Sequence, residues 1–215
     1  MYDLAFTFWR NLITEQDNLL GGTALANRNV AYLLSNAAWY PEPGKSQGVA
    51  EWYAVRELPP ALIVPSQREN TVERILQEGP FTLERGFTFR EAFETPSESL
   101  VEQVDWRQTR YAGELLARHY DQPSLSLAIA SSLAHAMQQN PSIQAFLSYE
   151  ENPVGAMVTF ERDDTLTAML LVDGDGGLET RLAQDATRRG LKGLVLEALS
   201  DGVTAGGGLE RWSIR

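Results

Sequence analysis

The stretch from Asp173 to Glu179, DGDGGLE, contains the residues whose types and spacing most clearly suggest chemistry. It stands between an apolar run typical of a strand, TLTAMLLV, and a run of helical periodicity that ends at Arg189, before Gly190. Glycines at such a junction let backbone N–H groups and the positive end of a helix dipole approach a phosphate. The stretch therefore indicates a phosphate cradle, the remnant of one, or a tight turn.

The charge of this stretch opposes a phosphate. Asp173, Asp175 and Glu179 are acidic, and no Lys or Arg stands among them. A carboxylate within about 6 Å of a diphosphate is repelled by about 1–3 kcal/mol at an effective dielectric constant near 20. The residues thus predict a cradle that is weakened by its own carboxylates.

Other chemistries find little support in the residue types. The DGDGG run is similar to a calcium loop, but Gln184 stands where an EF-hand loop needs a glutamate. The two histidines, His119 and His135, fall near the ends of separate predicted helices, so we expect no metal site. No serine stands in a G-x-S-x-G pattern, and there is no cysteine to act as a nucleophile.

The elements that position the glycine stretch are clearest from residue 105 onward. Two helices are predicted first, with Asp105 as the cap of one and Pro123 in the first turn of the other. Three strands follow, then the glycine stretch with its helix, another strand, the glycine-rich segment 200–208 and a closing strand. Antiparallel strands that lead into one β-α-β crossover predict an α/β fold with an α+β mixed sheet.

The first half shows a less regular pattern. A helix is predicted over residues 3–20, stopped by Gly21 and Gly22. The further elements are a short helix over 48–57, a proline-flanked strand at a strand end or sheet edge over 58–65, a helix over 68–79, and a strand with a bulge or a hairpin over 81–93. The polar run ETPSESLVEQ that follows is the best candidate for a linker.

An aromatic cluster marks the first half. Its members are Trp39, Tyr40, Trp52 and Tyr53. The simplest interpretation places them in the hydrophobic core of that half. The alternative is that they line a pocket for an acceptor substrate between the two halves, because ligand sites favour domain interfaces.

Composition narrows the class of protein. The chain has 215 residues, of which 18 are basic and 29 acidic, so its net charge is −11. Such a surface repels the phosphate backbone, and we expect no nucleic-acid partner. No apolar run is long enough to cross a membrane, and the start of the chain lacks a basic segment followed by an apolar core. The absence of cysteine fits a cytoplasmic protein.

Residues 105–215 resemble the GCN5-related N-acetyltransferase (GNAT) superfamily. The run AFLSYEENPVGAMVTFERDDTLTAMLLV is similar to the second, third and fourth strands of that fold. The run GLETRLAQDATRRGLKGLVLEA is similar to its central helix and fifth strand. In the first half, ALIVPSQRENTVERILQEGPFTLERGFTFREAF resembles a late strand, a helix and the terminal strand pair. The resemblance implies a partial, degenerate copy at 1–95, a linker at 96–104 and a GNAT domain at 105–215.

The resemblance also implies a donor substrate, acetyl-CoA, and residues to bind it. The backbone of the strand would hold the pantetheine arm and the loop would bind the diphosphate, through Leu170, Leu171, Val172, Gly174, Gly176 and Gly177. The family motif is Gln/Arg-x-x-Gly-x-Gly/Ala. If the motif is aligned on the helix leucines, its first glycine falls on Gly177, and Glu179 occupies the position that should be Gly or Ala. Aligned on Gly174 and Gly176, it keeps both glycines but shifts the helix register.

The resemblance places Thr204 where many members of the family have a tyrosine that protonates the leaving thiolate. A threonine hydroxyl is a poor general acid at neutral pH. The fourth strand of the resemblance has no Asp or Glu to act as a base; Thr165 and Thr167 are its polar side chains.

Three functions stay open at this point. The first is transfer of an acetyl group from acetyl-CoA to an amine of unknown identity. The second is a catalytically degenerate GNAT-fold protein that binds a small ligand or a protein partner. The third is a structural pairing in which the half-repeat serves homodimerisation.

Overall fold

The computed structural model describes residues 2–18, 22–28, 30, 35–39, 46–65, 81–199 and 208–214. The chain divides into two compact units: the first comprises Met1–Thr88 and Glu197–Arg215, and the second comprises Phe89–Leu196. The glycine stretch lies wholly within the second unit. The strand that closes the chain lies in the first.

The first unit is a sheet with helices. Its elements are α1 (Tyr2–Arg10), β1 (Glu15–Asp17), β2 (Thr23–Ala26), β3 (Ala37–Trp39), α2 (Ser46–Ala54), β4 (Ala61–Pro65), β5 (Phe81–Glu91, its residues from Phe89 on counted with the second unit) and β11 (Leu209–Ile214). The strands lie in the order β1-β2-β3-β4-β11-β5. The pair β3/β4 is parallel, and the other pairs are antiparallel.

Aromatic side chains form the core of the first unit. Trp39 and Tyr53 are fully buried and Trp52 nearly so, which confirms the interpretation of these three as core residues. The Tyr53 hydroxyl donates a hydrogen bond to the carbonyl oxygen of Leu25 at 2.8 Å, so its polar end is satisfied inside the core. Tyr40, the fourth member of the predicted cluster, lies outside the described residues.

The helix predicted over residues 3–20 is too long, and of the two alternatives for the proline-flanked strand, a strand end or an edge, the edge is wrong and the strand end is confirmed. The first helix ends at Arg10, where the Asn11 side chain donates to the carbonyl oxygen of Thr7 at 2.7 Å, and the chain then enters β1. The proline-flanked strand, β4, is interior rather than at an edge, because it pairs with β3 and β11. Its prolines stand before the strand or at its last residue, where no interior N–H group is lost.

Other predictions for this region are confirmed or lie outside the described residues. Segment 81–93 contains one continuous strand, β5, rather than a hairpin. Its register with β11 shifts between Arg211 and Trp212, which confirms the predicted bulge. The short helix predicted over 48–57 is confirmed as α2. The helix predicted over 68–79 falls on residues that the structure does not describe.

The second unit contains the elements predicted to position the glycine stretch. They are β6 (Leu100–Val104), α3 (Thr109–His119), α4 (Ser126–Gln139), β7 (Ile143–Tyr149), β8 (Pro153–Arg162), β9 (Thr165–Val172), α5 (Gly177–Arg189) and β10 (Lys192–Leu199, whose residues up to Leu196 belong to this unit). The order is β10-β9-β8-β7-β6, with β9/β10 parallel and the other pairs antiparallel. The predicted mixed sheet with one β-α-β crossover is therefore confirmed.

Helices cover both faces of this sheet. On one face, the apolar side of α5 packs on the strands through Leu178, Leu182 and Ala186. Side chains alternate along a strand, so neighbours such as Ala145 and Val158 face the other side, where α3 and α4 contact the same strands. Burial on both faces explains why β8 reads as a nearly continuous apolar run.

The start of the second unit differs from its prediction in two places. Residues 96–104, predicted to be a linker, include β6, which pairs with β7. Asp105 was predicted to cap the first helix. Instead its Oδ1 accepts the N–H of Arg107 at 2.7 Å, which makes a turn ahead of α3, and the residue at the helix cap is Gln108. The domain ranges 1–95 and 105–215 stay a prediction.

Candidate functional site

Strand β9 contains a bulge before it reaches the glycine stretch. Met169 is an extra residue opposite Val158 and Thr159 of β8, where the register between the two strands shifts. Such a bulge bends a strand and increases its twist. On the other side of β9, the register with β10 ends at Ala168, opposite Val195. The end of β9, from Met169 on, therefore extends beyond its pairing with β10.

The directions of the backbone groups at this end of β9 follow from a contact between Val172 and β8. The carbonyl oxygen of Val172 lies 2.8 Å from the position of a Cβ placed on Gly155, so the backbone groups of Val172 face β8. Successive strand residues direct their N–H and C=O groups to alternate sides. Those of Leu171 therefore face away from β8, toward the side where the pairing with β10 has ended. This edge can accept an extended segment by backbone hydrogen bonds.

Helix α5 begins immediately after the glycine stretch. Gly176 stands at its cap with φ +81°, a left-handed conformation that glycine adopts without strain. The first N–H groups of a helix have no partner within it. Here the N–H of Gly177 donates to Asp175 Oδ1 at 3.1 Å, and that of Glu179 donates to Asp173 Oδ2 at 2.9 Å. Carboxylates of the chain itself thus bind donors that a phosphate would use.

The two aspartates have opposite electrostatic environments. Hydrogen bonds from the hydroxyls of Ser97 and Ser99, and from the N–H of Gly177, hold the pKa of Asp175 below its ordinary value. Burial raises the pKa of Asp173, although the backbone N–H of Glu179 opposes that shift. The charged form of Asp175 is therefore stabilised in the fold, and that of Asp173 is disfavoured.

Glu179 is not left as a free charge in the loop. It is 7% exposed, and its carboxylate makes a two-pronged ion pair with Arg90, in which Nη2 lies 2.9 Å from Oε2 and Nη1 contacts Oε1. The N–H of Phe93 also donates to Oε1, at 3.2 Å. The repulsion predicted from this glutamate is therefore largely offset by Arg90, a contact that the sequence pattern did not indicate.

A segment that connects β5 and β6 lies on the start of α5. We call this segment, Ala92–Ser99, the strap. The hydroxyls of Ser97 and Ser99 each donate to Asp175 Oδ2 at 2.6 Å. The N–H of Thr95 donates to Thr180 Oγ1 at 2.8 Å, and that hydroxyl donates back to the Thr95 carbonyl oxygen at 2.7 Å. Residues 96–99 of the strap belong to the range predicted to be a linker, and the sequence pattern did not indicate these contacts.

The glycines of the loop have different surroundings. A Cβ on Gly177 would lie 2.7 Å from Ser97 Oγ, and one on Gly176 would lie 3.1 Å from Thr95 Cβ, so both positions are small because the strap lies against them. Around Gly174 no atom comes within 4 Å of such a Cβ. The absence of a side chain at Gly176 and Gly177 therefore makes room for a contact within the chain, the one with the strap.

The structure locates most of the predicted site residues. Leu170 is buried, and Leu171 and Val172 are half-buried at the end of β9. Thr165 donates to the carbonyl oxygen of Arg162 at 2.9 Å. Thr204, which the resemblance places at the position of the catalytic tyrosine, lies outside the described residues. The part that each of these residues plays toward acetyl-CoA stays a prediction.

The residues of this site fit one part of acetyl-CoA and not another. The edge at Leu171 suits the amide groups of a pantetheine arm. The start of α5 does not suit the diphosphate, because Asp173 and Asp175 bind its N–H groups and the strap lies over it.

Among the described residues, no group of three or more His, Asp or Glu could hold a metal ion. Within the same ranges, no helix is long and apolar enough to cross a membrane.

Comparison with known proteins identifies the fold. No protein-family model matches the sequence, and no curated protein matches it either. Among solved structures, a GCN5-related N-acetyltransferase from Kribbella flavida is similar with a TM-score of 0.64 and 15% identity, covering 99% of this chain and 95% of that one. A functionally unknown conserved protein from Staphylococcus epidermidis is similar with a TM-score of 0.60, 11% identity and 89% coverage of both chains. A conserved protein of unknown function from Bacteroides thetaiotaomicron has a TM-score of 0.50 and 10% identity, with 99% and 91% covered.

These matches extend over both halves of the chain, and their low identities support the fold alone. The resemblance drawn from the residue pattern is confirmed at that level. The chain has the fold of the GCN5-related N-acetyltransferase superfamily.

Proposed function

We propose that this chain is an N-acetyltransferase that moves an acetyl group from acetyl-CoA to an amine. The observation that carries the proposal is the departure of β9 from β10 after the bulge at Met169, in a chain with this fold. A bend at that point leaves a short strand edge beside the start of α5. The edge is where a donor with an extended arm can be held.

The chemistry of the pantetheine arm suits this edge. The arm is extended and contains two amide groups, so it can hydrogen-bond to a strand edge in the way that an added β-strand does. The N–H and C=O of Leu171 face that side. Backbone groups in a strand are already oriented, so little binding free energy is spent on rearranging the protein when the arm binds.

The reaction needs few special side chains. The amine nitrogen attacks the thioester carbonyl carbon, a C–N bond forms and the C–S bond breaks; the amine loses a proton and the departing thiolate gains one. Positioning of the two substrates and backbone donors at the carbonyl oxygen supply much of such a rate enhancement. Thr204 is the proposed residue near the thiolate. The net charge of −11 favours a cationic amine as acceptor.

The test compares two variants of one residue. Leu171→Ala and Leu171→Pro both remove the side chain, but only proline also removes the N–H group. We expect calorimetric titration with S-acetyl-pantetheine to show binding at least about tenfold weaker for the proline variant, the value of one good hydrogen bond. Equal binding by the two variants, or no binding of S-acetyl-pantetheine and acetyl-CoA to the unaltered chain, contradicts the proposal.

A second candidate function is a GNAT-fold protein without catalysis that binds a small ligand or a protein partner. The observation that favours it is the engagement of Asp173 and Asp175 with the N–H groups at the start of α5. The two candidates differ in thiol release. The chain contains no cysteine, so a thiol reagent reports only the thiol freed from the donor when acetyl-CoA and a panel of amines are supplied.

A further inference from the structure

We propose that the strap is an internal occupant of the start of α5, an autoinhibitory contact that closes this end of the helix and has to leave before the donor's diphosphate reaches it. The identity of the excluded anion rests on the proposed function. The closed contact itself does not, because it consists of hydrogen bonds within the chain.

The strap is attached at several points along its length. Phe93, Thr95, Ser97 and Ser99 donate hydrogen bonds to Glu179, Thr180 and Asp175. Glu94 also accepts one from Gln184 of α5 at 3.5 Å, and the N–H of Ala92 donates to the carbonyl oxygen of Gly193 at 3.0 Å. The contacts of the strap are therefore spread along its length rather than concentrated at one anchor.

The chemistry of the central contact resembles a bound anion. One oxygen of Asp175 accepts the N–H of Gly177, and the other accepts the hydroxyls of Ser97 and Ser99. This carboxylate thus stands between the helix and the strap as a phosphate oxygen would stand between a helix and its ligand. A diphosphate arriving here has to displace the strap and overcome the charge of the same carboxylate.

The strap is held mainly by polar contacts, which suits a segment that opens. Phe93 is 56% exposed, and the Arg90 guanidinium lies 5.0 Å from the centroid of its ring. Glu94, Pro96, Ser97 and Glu98 are also exposed. Segments with few buried apolar contacts open at a smaller cost than the core elements around them.

The first experiment measures closure without any ligand. Amide hydrogen exchange by NMR is expected to be slowed at Thr95 in the unaltered protein, and at least tenfold faster in the variant Ser97→Ala/Ser99→Ala. The N–H of Leu191, which donates to Ala186 at the other end of α5, serves as the internal control and should not change. A Thr95 amide that exchanges in the unaltered protein as fast as in an unfolded peptide overturns the proposal.

The second experiment tests what closure excludes, with inorganic pyrophosphate as the probe. We expect the variant Ser97→Ala/Ser99→Ala/Asp175→Asn to bind pyrophosphate at least tenfold more tightly than the unaltered chain does. Asp163→Asn, which removes an equal charge in the turn before β9, is the matched control and should leave pyrophosphate binding unchanged. Equal affinity in the opened variant and the unaltered chain, or no binding by either, overturns the proposal.

The two proposals fail in different ways. If the strap opens and pyrophosphate then binds, but neither S-acetyl-pantetheine nor acetyl-CoA binds, the proposed function fails and the strap stands. If the Thr95 amide is already unprotected in the ligand-free chain, and S-acetyl-pantetheine and acetyl-CoA both bind, the strap proposal is overturned and the proposed function stands.

Discussion

The end of β9 and the start of α5 are neighbouring parts of the second unit. They differ in the surroundings of their backbone groups. At the end of β9, the backbone groups of Leu171 face away from β8 beyond the pairing with β10. At the start of α5, the N–H groups of Gly177 and Glu179 already have carboxylate partners. The first feature follows from the geometry of the backbone, so it persists as long as the fold does. The second depends on a few side chains, so it changes with them.

The largest effect on the free energy of unfolding is expected at Glu179, the buried charge at the start of α5. Arg90→Ala leaves the carboxylate of Glu179 without its guanidinium partner, and we expect the free energy of unfolding to fall by about 2–4 kcal/mol, since the arginine is partly exposed. Urea unfolding measures it. The double variant Arg90→Met/Glu179→Leu should recover most of the loss, because a buried ion pair can be replaced by apolar side chains. A loss below about 0.5 kcal/mol in Arg90→Ala, the range of ordinary surface substitutions, would mean that Glu179 does not need Arg90.

A smaller effect is expected from the glycines. Gly176→Ala places a side chain at φ +81° and 3.1 Å from Thr95, and should lower the free energy of unfolding by about 1–2 kcal/mol. Gly174→Ala meets nothing within 4 Å at a φ outside the left-handed region, and should change it by less than about 0.5 kcal/mol or raise it. Urea unfolding of the pair is the measurement. Similar losses in both variants would contradict the difference in φ and in surroundings between these two glycines.

The smallest effect distinguishes the two aspartates. The lowered pKa of Asp175 means that its contribution to stability is present above the ordinary value of 3.8 and is lost as the pH falls through the folded pKa. The raised pKa of Asp173 has the opposite sign: its contribution is present below 3.8 and is lost as the pH rises through the folded pKa. At neutral pH, Asp175→Asn should therefore lower the free energy of unfolding by about 0.5–1 kcal/mol, and Asp173→Asn should leave it unchanged or raise it.

The check on the aspartates is urea unfolding at several pH values on both sides of 3.8. Asp175→Asn should remove part of the loss of stability at acid pH, because asparagine does not titrate. Asp173→Asn should remove part of the loss as the pH rises above that value. Variants that shift the profile in the same direction would show that the two environments are not opposite.

The elements around the site could be predicted because their signals are local. The periodicity of α5, its stop at Gly190 and the three strand-like runs before it are properties of neighbouring residues. The first helix was overestimated for the same reason. Its apolar spacing continues past Arg10, but the pairing of β1 with β2, which decides the boundary, is not visible in that spacing.

The state of the candidate site could not be predicted in this way. Its acidic residues were visible, and their repulsion of a phosphate followed from charge alone. Their partners were not, because Arg90 is 89 residues before Glu179 and the Ser97 hydroxyl is 78 residues before Asp175. Contacts at such separations depend on how strands are ordered in the sheet, and no periodicity reports that order.

The sequence by itself determined the mixed sheet, the β-α-β crossover and the acidic character of the glycine stretch, since hydrophobic periodicity and charge are carried by each segment alone. Only the tertiary structure decided that Arg90 neutralises Glu179, that the strap covers Gly176 and Gly177, and that Asp173 and Asp175 have opposite pKa shifts. The physical reason is that burial, ion pairing and hydrogen bonding depend on which distant segments meet, and the fold brings the end of β5 to the start of α5.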